Sequence, residues 1–192
     1  GQVLSFVARD AKLNPSALYV LGASANDFFL HEDMASPTAL NDIARSCAQD
    51  MKDAVDILYQ HGARNFLIFG SYRLDRVPAV AKEARTAEEA RLFAAEYDRQ
   101  TRQALIPVLS EAGVHIIWFS WRSVTQALIS DARSNQMENT DQPCQPTQPM
   151  AGKVCATPDR YFWLDEYHPT RAAHALIAQQ MLESIRRHIS IR

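Results

Sequence analysis

The chain has 192 residues, 47% hydrophobic and 22% charged, with a formal net charge of −2. That length and balance suit one globular domain with a real core. The near-neutral charge, with basic residues scattered rather than clustered, leaves no electrostatic footprint for nucleic acid or an anionic membrane, so neither is expected as a partner. No apolar run approaches the roughly 20 residues that span a bilayer, so no transmembrane segment is expected.

In chain order, GQVLSFVARDAKLNP reads as an amphipathic helix running into a turn. Three runs then stand out as strands: ALYVLG at 17–22, NFLIFG at 65–70 and HIIWFSW at 115–121. Each is nearly continuously apolar, the pattern of strands buried on both faces of a parallel sheet. Between the first two, the stretch 38–62 puts apolar residues at 43, 47, 51, 55 and 58, and His61-Gly62 closes it as a C-cap. The stretch 86–113 is a second helical pattern, with Thr86 and Glu89 spaced as a capping box and Pro107 placed to kink it. Residues 131–160 are polar and proline-bearing and are expected to form a loop insertion. A last helix, 170–189, carries Ala172, Leu176, Ile177, Met181 and Ile185 on one face. Strands alternating with helices predict an α/β layer architecture with right-handed crossovers.

Cys144 and Cys155 bracket CQPTQPMAGKVC, a loop with no core of its own. No further Cys or His stands at zinc-ligand spacing, so no metal site is expected. A disulfide is expected instead, stabilising by about 3 kcal/mol and implying an oxidising compartment. Cys47, inside a helical pattern, reads as a small buried hydrophobe.

Two short segments carry chemistry. In FWLDEYHPTRAAH, Asp165 precedes His168 by three residues, so one tight turn can bring carboxylate and imidazole together. In acyl transfer the histidine takes the nucleophile's proton while the acid fixes its tautomer. Pro169 and Thr170 then open the last helix. In GASAND, directly after the first strand, the Asn26 side chain can donate to a developing oxyanion. The same residue types also suit an Asx turn, with Asn26 and Asp27 capping the next segment.

Together and in this order, these segments resemble the SGNH/GDSL family of esterases and lipases. LYVLGASANDFF is similar to the family's third block, G-x-N-D after a strand, and FWLDEYHPTRAAHALIA to its fifth, D-x-x-H-P-T before an alanine-rich helix. HGARNFLIFG resembles the stretch that commonly lies between them. The resemblance implies a flavodoxin-like, three-layer α/β/α sheet and a serine ester hydrolase that works through an acyl-enzyme, with no metal or organic cofactor. His168 would be the general base, Asp165 its orienting acid and Asn26 an oxyanion donor. The substrates implied are carboxylic esters, phospholipids among them.

Two departures qualify the match. The family's nucleophile lies in a Gly-Asp-Ser motif after its first strand, and no such motif occurs among these residues; a block-two glycine ahead of the first strand is also missing. The expectation is therefore that residues 1–192 are the C-terminal part of a single hydrolase domain whose N-terminal segment carries the serine. Such a piece would leave the first strand with a bare edge, so alone it should be inactive and poorly soluble or oligomeric. Second, Ser24 stands where the family usually has the glycine of G-x-N-D, adding bulk to the turn.

Three other readings remain. Gly22-x-Ser24 is a partial nucleophile elbow, which would make Ser24 itself the nucleophile, although an asparagine holds the elbow's second glycine position. The protein could transfer the acyl group to an alcohol instead of water, or be a silent member that only binds acyl ligands or a partner protein. The expected setting is secreted or periplasmic.

Overall fold

A computed structural model describes residues 1–31, 36–147 and 152–188 and divides the chain into two compact units. The first comprises Gly1–Ser71 and Phe93–Phe119, the second Tyr72–Leu92 and Ser120–Arg192.

The first unit opens with α1 (Gln2–Val7), β1 (Leu18–Leu21), α2 (Ala25–Phe29), α3 (Pro37–Gln60) and β2 (Asn65–Phe69). The long helix α5 (Ala84–Leu109) enters it at Phe93, and β3 (His115–Phe119) completes it. The three strands form one parallel sheet in the order β1-β2-β3, with Leu18 opposite Asn65 and Asn65 opposite His115. Successive residues of a strand face opposite sides. Phe66 and Ile68 of β2 accordingly point to one face, where they pack with Met51, Val55 and Leu58 of α3 and with Leu105 and Val108 of α5. Leu67, on the other face, is also fully buried. The unbroken apolar run at 65–70 thus has the double burial it predicts. β1 lies at the sheet edge, and Val20 on it is 54% exposed.

The ends of α3 show why it occupies these residues. Ser36 Oγ accepts the Ala39 N–H at 3.1 Å, and Pro37 needs no donor in the first turn. At the other end Gly62 takes φ 110°, while its N–H donates to Tyr59 O and the Ala63 N–H to Leu58 O. These two bonds close a Schellman cap, and a side chain at position 62 would be strained.

Helix α5 corrects one expectation. It starts at Ala84, so Thr86 falls inside the first turn, where its hydroxyl donates to Glu83 Oε2 at 2.7 Å. The capping box with Glu89 does not form, because the helix begins before the residue that should cap it. Pro107 lies in the last turn, close to the helix end at Leu109.

The second unit contains a 3-10 turn (Leu74–Arg76), α4 (Pro78–Ala81), the start of α5, α6 (Trp121–Ser130), β4 (Asn139–Pro143), a 3-10 turn (Pro158–Arg160), β5 (Tyr161–Trp163) and α7 (Arg171–His188). β4 pairs in parallel with β5 through Asn139 opposite Tyr161 and Pro143 opposite Trp163. The stretch expected as a loop therefore contains a strand. Its residues, NTDQP, have poor strand propensity, and pairing with YFW imposes the extended conformation. Cys144 and Cys155 form the expected disulfide, with Cα atoms 5.0 Å apart. Residues 148–151 of that loop and Ile189 of the expected last helix lie outside the described residues. The buried face of α7 runs through Ala173, Ile177 and Ser184, one residue round from the Ala172 of the sequence reading.

The chain is thus mixed α/β, with parallel strands flanked by helices, in keeping with the flavodoxin-like architecture. Among the described residues no helix is long and apolar enough to cross a membrane.

Candidate active site

The acid and the base of the sequence reading meet on the turn between β5 and α7. Asp165 Oδ1 accepts the backbone N–H groups of Tyr167 and His168, each at 2.8 Å. The carboxylate is thereby fixed against its own turn, as Asx turns do. The His168 ring closes on it, with Nδ1 3.0 Å from Oδ1 and 2.9 Å from Oδ2. An Nδ1–H donated to the carboxylate leaves Nε2, on the far side of the ring, as the proton acceptor. Exposure divides the pair usefully: the His168 side chain is 73% exposed and that of Asp165 25%. The imidazole can be reached, while the acid behind it is sheltered.

Burial pushes the Asp165 carboxyl up and is the largest single influence on it. The Tyr167 N–H, the His168 ring and the His168 N–H together outweigh burial and hold the group below its usual value. It stays ionised as a partner for an imidazolium.

The residues around the pair each close part of the turn. The Leu164 N–H donates to His168 O at 2.8 Å, and Trp163 bridges Pro169. Thr170 is buried: its N–H donates to Phe162 O and its hydroxyl to Tyr161 O at 2.7 Å. The same Oγ1 accepts the Ala173 N–H at 3.2 Å and so caps α7. The H-P-T run therefore presents the imidazole, pairs back onto β5 and starts the helix.

Asn26 lies on the other unit, in the first turn of α2 just after β1. The sequence reading made this a loop, but the helix begins at Ala25, with Ser24 as its N-cap residue. Asn26 is exposed, and among the described residues its amide has no hydrogen-bond partner. The turn is tight. A Cβ on Gly22 would sit 2.6 Å from the ring of Phe69, so only glycine fits. Ser24 adopts φ 133°, a region glycine favours and a serine enters only under strain. Ser24 thus holds a backbone conformation more usual for glycine.

The Ser24 side chain is 4% exposed, and its hydroxyl donates to Ser71 Oγ at 3.2 Å. The Ser71 N–H in turn donates to Oδ1 of the buried Asp98 at 2.7 Å. Nothing in the sequence linked Ser24 to Ser71 or Asp98, because all three meet only through the sheet and α5. Phe28 anchors α2 in the core, its ring 5.6 Å from that of Phe93. Cys47 is buried as expected; burial first, then the charge and hydrogen bond of Asp27, push its thiol up to about 12, so it stays protonated. A cavity of about 320 Å³ opens beside the turn, lined by Val20, Gly22, Ala23, Asp27, Cys47 and Met51 among others.

A carboxylate-held imidazole of this kind can take a proton from a nucleophile and return it to a leaving group. The model of the GDSL-like lipase/acylhydrolase family matches residues 1–181, and the chain belongs to that family of ester-acting hydrolases. No curated protein matches the chain.

Proposed function

We propose that this chain supplies the base, the acid and one oxyanion donor of a serine ester hydrolase, with the nucleophilic serine contributed from outside these residues. His168 Nε2 removes the proton of that serine as its oxygen attacks the ester carbonyl. The imidazolium, steadied by Asp165, then returns the proton to the departing alcohol, leaving an acyl-enzyme. A water molecule, deprotonated by the same nitrogen, releases the carboxylic acid and restores the serine. Asn26 donates to the carbonyl oxygen while it carries negative charge.

The observation that carries this reading is the two-point contact between His168 Nδ1 and the Asp165 carboxylate, at 3.0 and 2.9 Å, in a member of an ester-acting family. The outside nucleophile is favoured because Ser24, the in-chain candidate, is buried with its hydroxyl bonded to another serine rather than to an imidazole. On this view the isolated chain turns over esters little, since base and acid without a nucleophile give scant catalysis. The disulfide supports a secreted or periplasmic setting.

The test is His168→Ala in the intact protein. It should abolish cleavage of a simple ester such as p-nitrophenyl butyrate while leaving the circular dichroism spectrum unchanged. Activity within tenfold of the parent would refute the assignment.

A further inference from the structure

The hydrogen bonds between Asp165 and His168 are all internal to their turn and fix the two groups relative to each other. They do not fix the turn relative to the rest of its unit. Pro169 and Thr170 tie the turn's far end back to β5, and Glu166, between acid and base in the chain, ties its middle to α4 and to Thr147.

Its carbonyl accepts the Ala79 N–H from α4 at 3.0 Å. Its carboxylate reaches the other way, accepting the Thr147 N–H at 2.7 Å on Oε1 and the Thr147 hydroxyl on Oε2. Thr147 belongs to the loop closed by the Cys144–Cys155 disulfide. The neck of that loop is tied twice more, by the Cys155 N–H to Cys144 O at 2.9 Å and the Gly152 N–H to Pro146 O at 2.6 Å. Its near side runs along the strand that leads into the turn: the Cys144 N–H donates to Trp163 O and the Gln145 N–H to Leu164 O.

A carboxylate gripping both donors of one residue is directional, and charge-assisted bonds of this kind are the stronger sort. The loop is too short to hold a core of its own, so the covalent cross-link beside Thr147 restrains it. We infer that Glu166 is a positioning residue for the Asp165–His168 pair and that the disulfide-closed loop, acting through Thr147, is the clamp that holds it. This inference rests on the proposed hydrolase reading. Without the clamp, acid and base stay bonded to each other, but the imidazole wanders as the turn moves. Misplacement by even an ångström lowers turnover steeply.

The test uses the intact protein with p-nitrophenyl butyrate. Glu166→Ala should lower kcat by about tenfold or more, with KM within about twofold of the parent. Glu166→Gln should recover most of the loss, since its amide can accept the N–H and donate to the hydroxyl. Thr147→Ala should lose less than Glu166→Ala, because its N–H remains. The pair Cys144→Ala with Cys155→Ala should lower kcat in the parent but add nothing in the Glu166→Ala background, since both changes cut one linkage. The His168 Nδ1–H signal in proton NMR should broaden in Glu166→Ala, an effect that needs no turnover. Should Glu166→Ala not fold, Thr147→Ala and the loop double variant carry the test.

Full activity in Glu166→Ala with an inactive His168→Ala overturns the inference alone, and so do additive losses in the combined variant. Retained activity in His168→Ala overturns the hydrolase reading and takes the inference with it.

Discussion

Around His168, the turn is held by hydrogen bonds that fall mostly within a few residues of sequence: Asp165 to Tyr167 and His168, Leu164 to His168, Thr170 to Ala173. Around Asn26, the local bonds are those of the short helix α2, such as the Leu30 N–H to Asn26 O, and the turn that leads into it is set by what surrounds it. Phe69 leaves room only for glycine at 22, Phe28 is locked among aromatic rings, and Ser24 is bent into a glycine conformation while its hydroxyl reaches Ser71. One turn is made by its own sequence and the other by its neighbours. A self-made turn keeps its geometry through most distant changes. An imposed one stores strain that the surrounding core must offset.

The contrast can be broken at either turn. The largest effect should come from Asp165→Asn, which keeps the side chain's shape but favours the wrong imidazole tautomer. Turnover of p-nitrophenyl butyrate by the intact protein should fall roughly 10³–10⁴-fold. A loss below tenfold would mean that the carboxylate does not orient the base. Asn26→Ala should cost about 10²–10³-fold in kcat, as loss of one oxyanion donor does, with the fold intact. An unchanged kcat would leave Asn26 as a helix-capping residue only.

Stability effects are smaller and differ in kind between the two turns. The Asp165 carboxyl is held below its usual value, so its ionised form contributes stability in full above the ordinary aspartate range. That contribution is lost as pH falls through the lowered folded value. Urea midpoints should therefore fall below about pH 4, and Asp165→Asn should flatten the curve there. An identical pH dependence in parent and variant would show that these hydrogen bonds contribute nothing net. At the other turn, Ser24→Gly should relieve the strained φ and lose only one hydrogen bond. Stability should stay level or rise by up to about 1 kcal/mol, measured as the urea midpoint. Ser24→Ala keeps the strain and loses the bond, so it should destabilise by about 1 kcal/mol while retaining activity. A dead but folded Ser24→Ala enzyme would revive Ser24 as nucleophile.

Much of the architecture could be read from the chain. Three largely apolar runs marked the strands of the parallel sheet, and the central one, β2, is buried on both faces as such a run predicts; β1 is not, because it lies at the sheet edge, where Val20 is exposed. His61-Gly62 marked the end of α3 because a left-handed cap requires glycine. The disulfide was legible from a short loop that could not hold itself. β4 was missed because NTDQP has no strand signature until β5 pairs with it, and the capping box at Thr86 misled because the helix already starts at Ala84.

What the sequence determines by itself is local: the bonds that join Asp165 to Tyr167 and His168 span at most three residues, so spacing alone lets acid and base meet on one turn. What only the tertiary structure decides is long-range. Ser24 meets Ser71, Gly22 meets Phe69 and Glu166 meets Thr147 across gaps that no periodicity spans. Such contacts depend on how elements pack, and packing is a property of three-dimensional neighbours rather than of spacing.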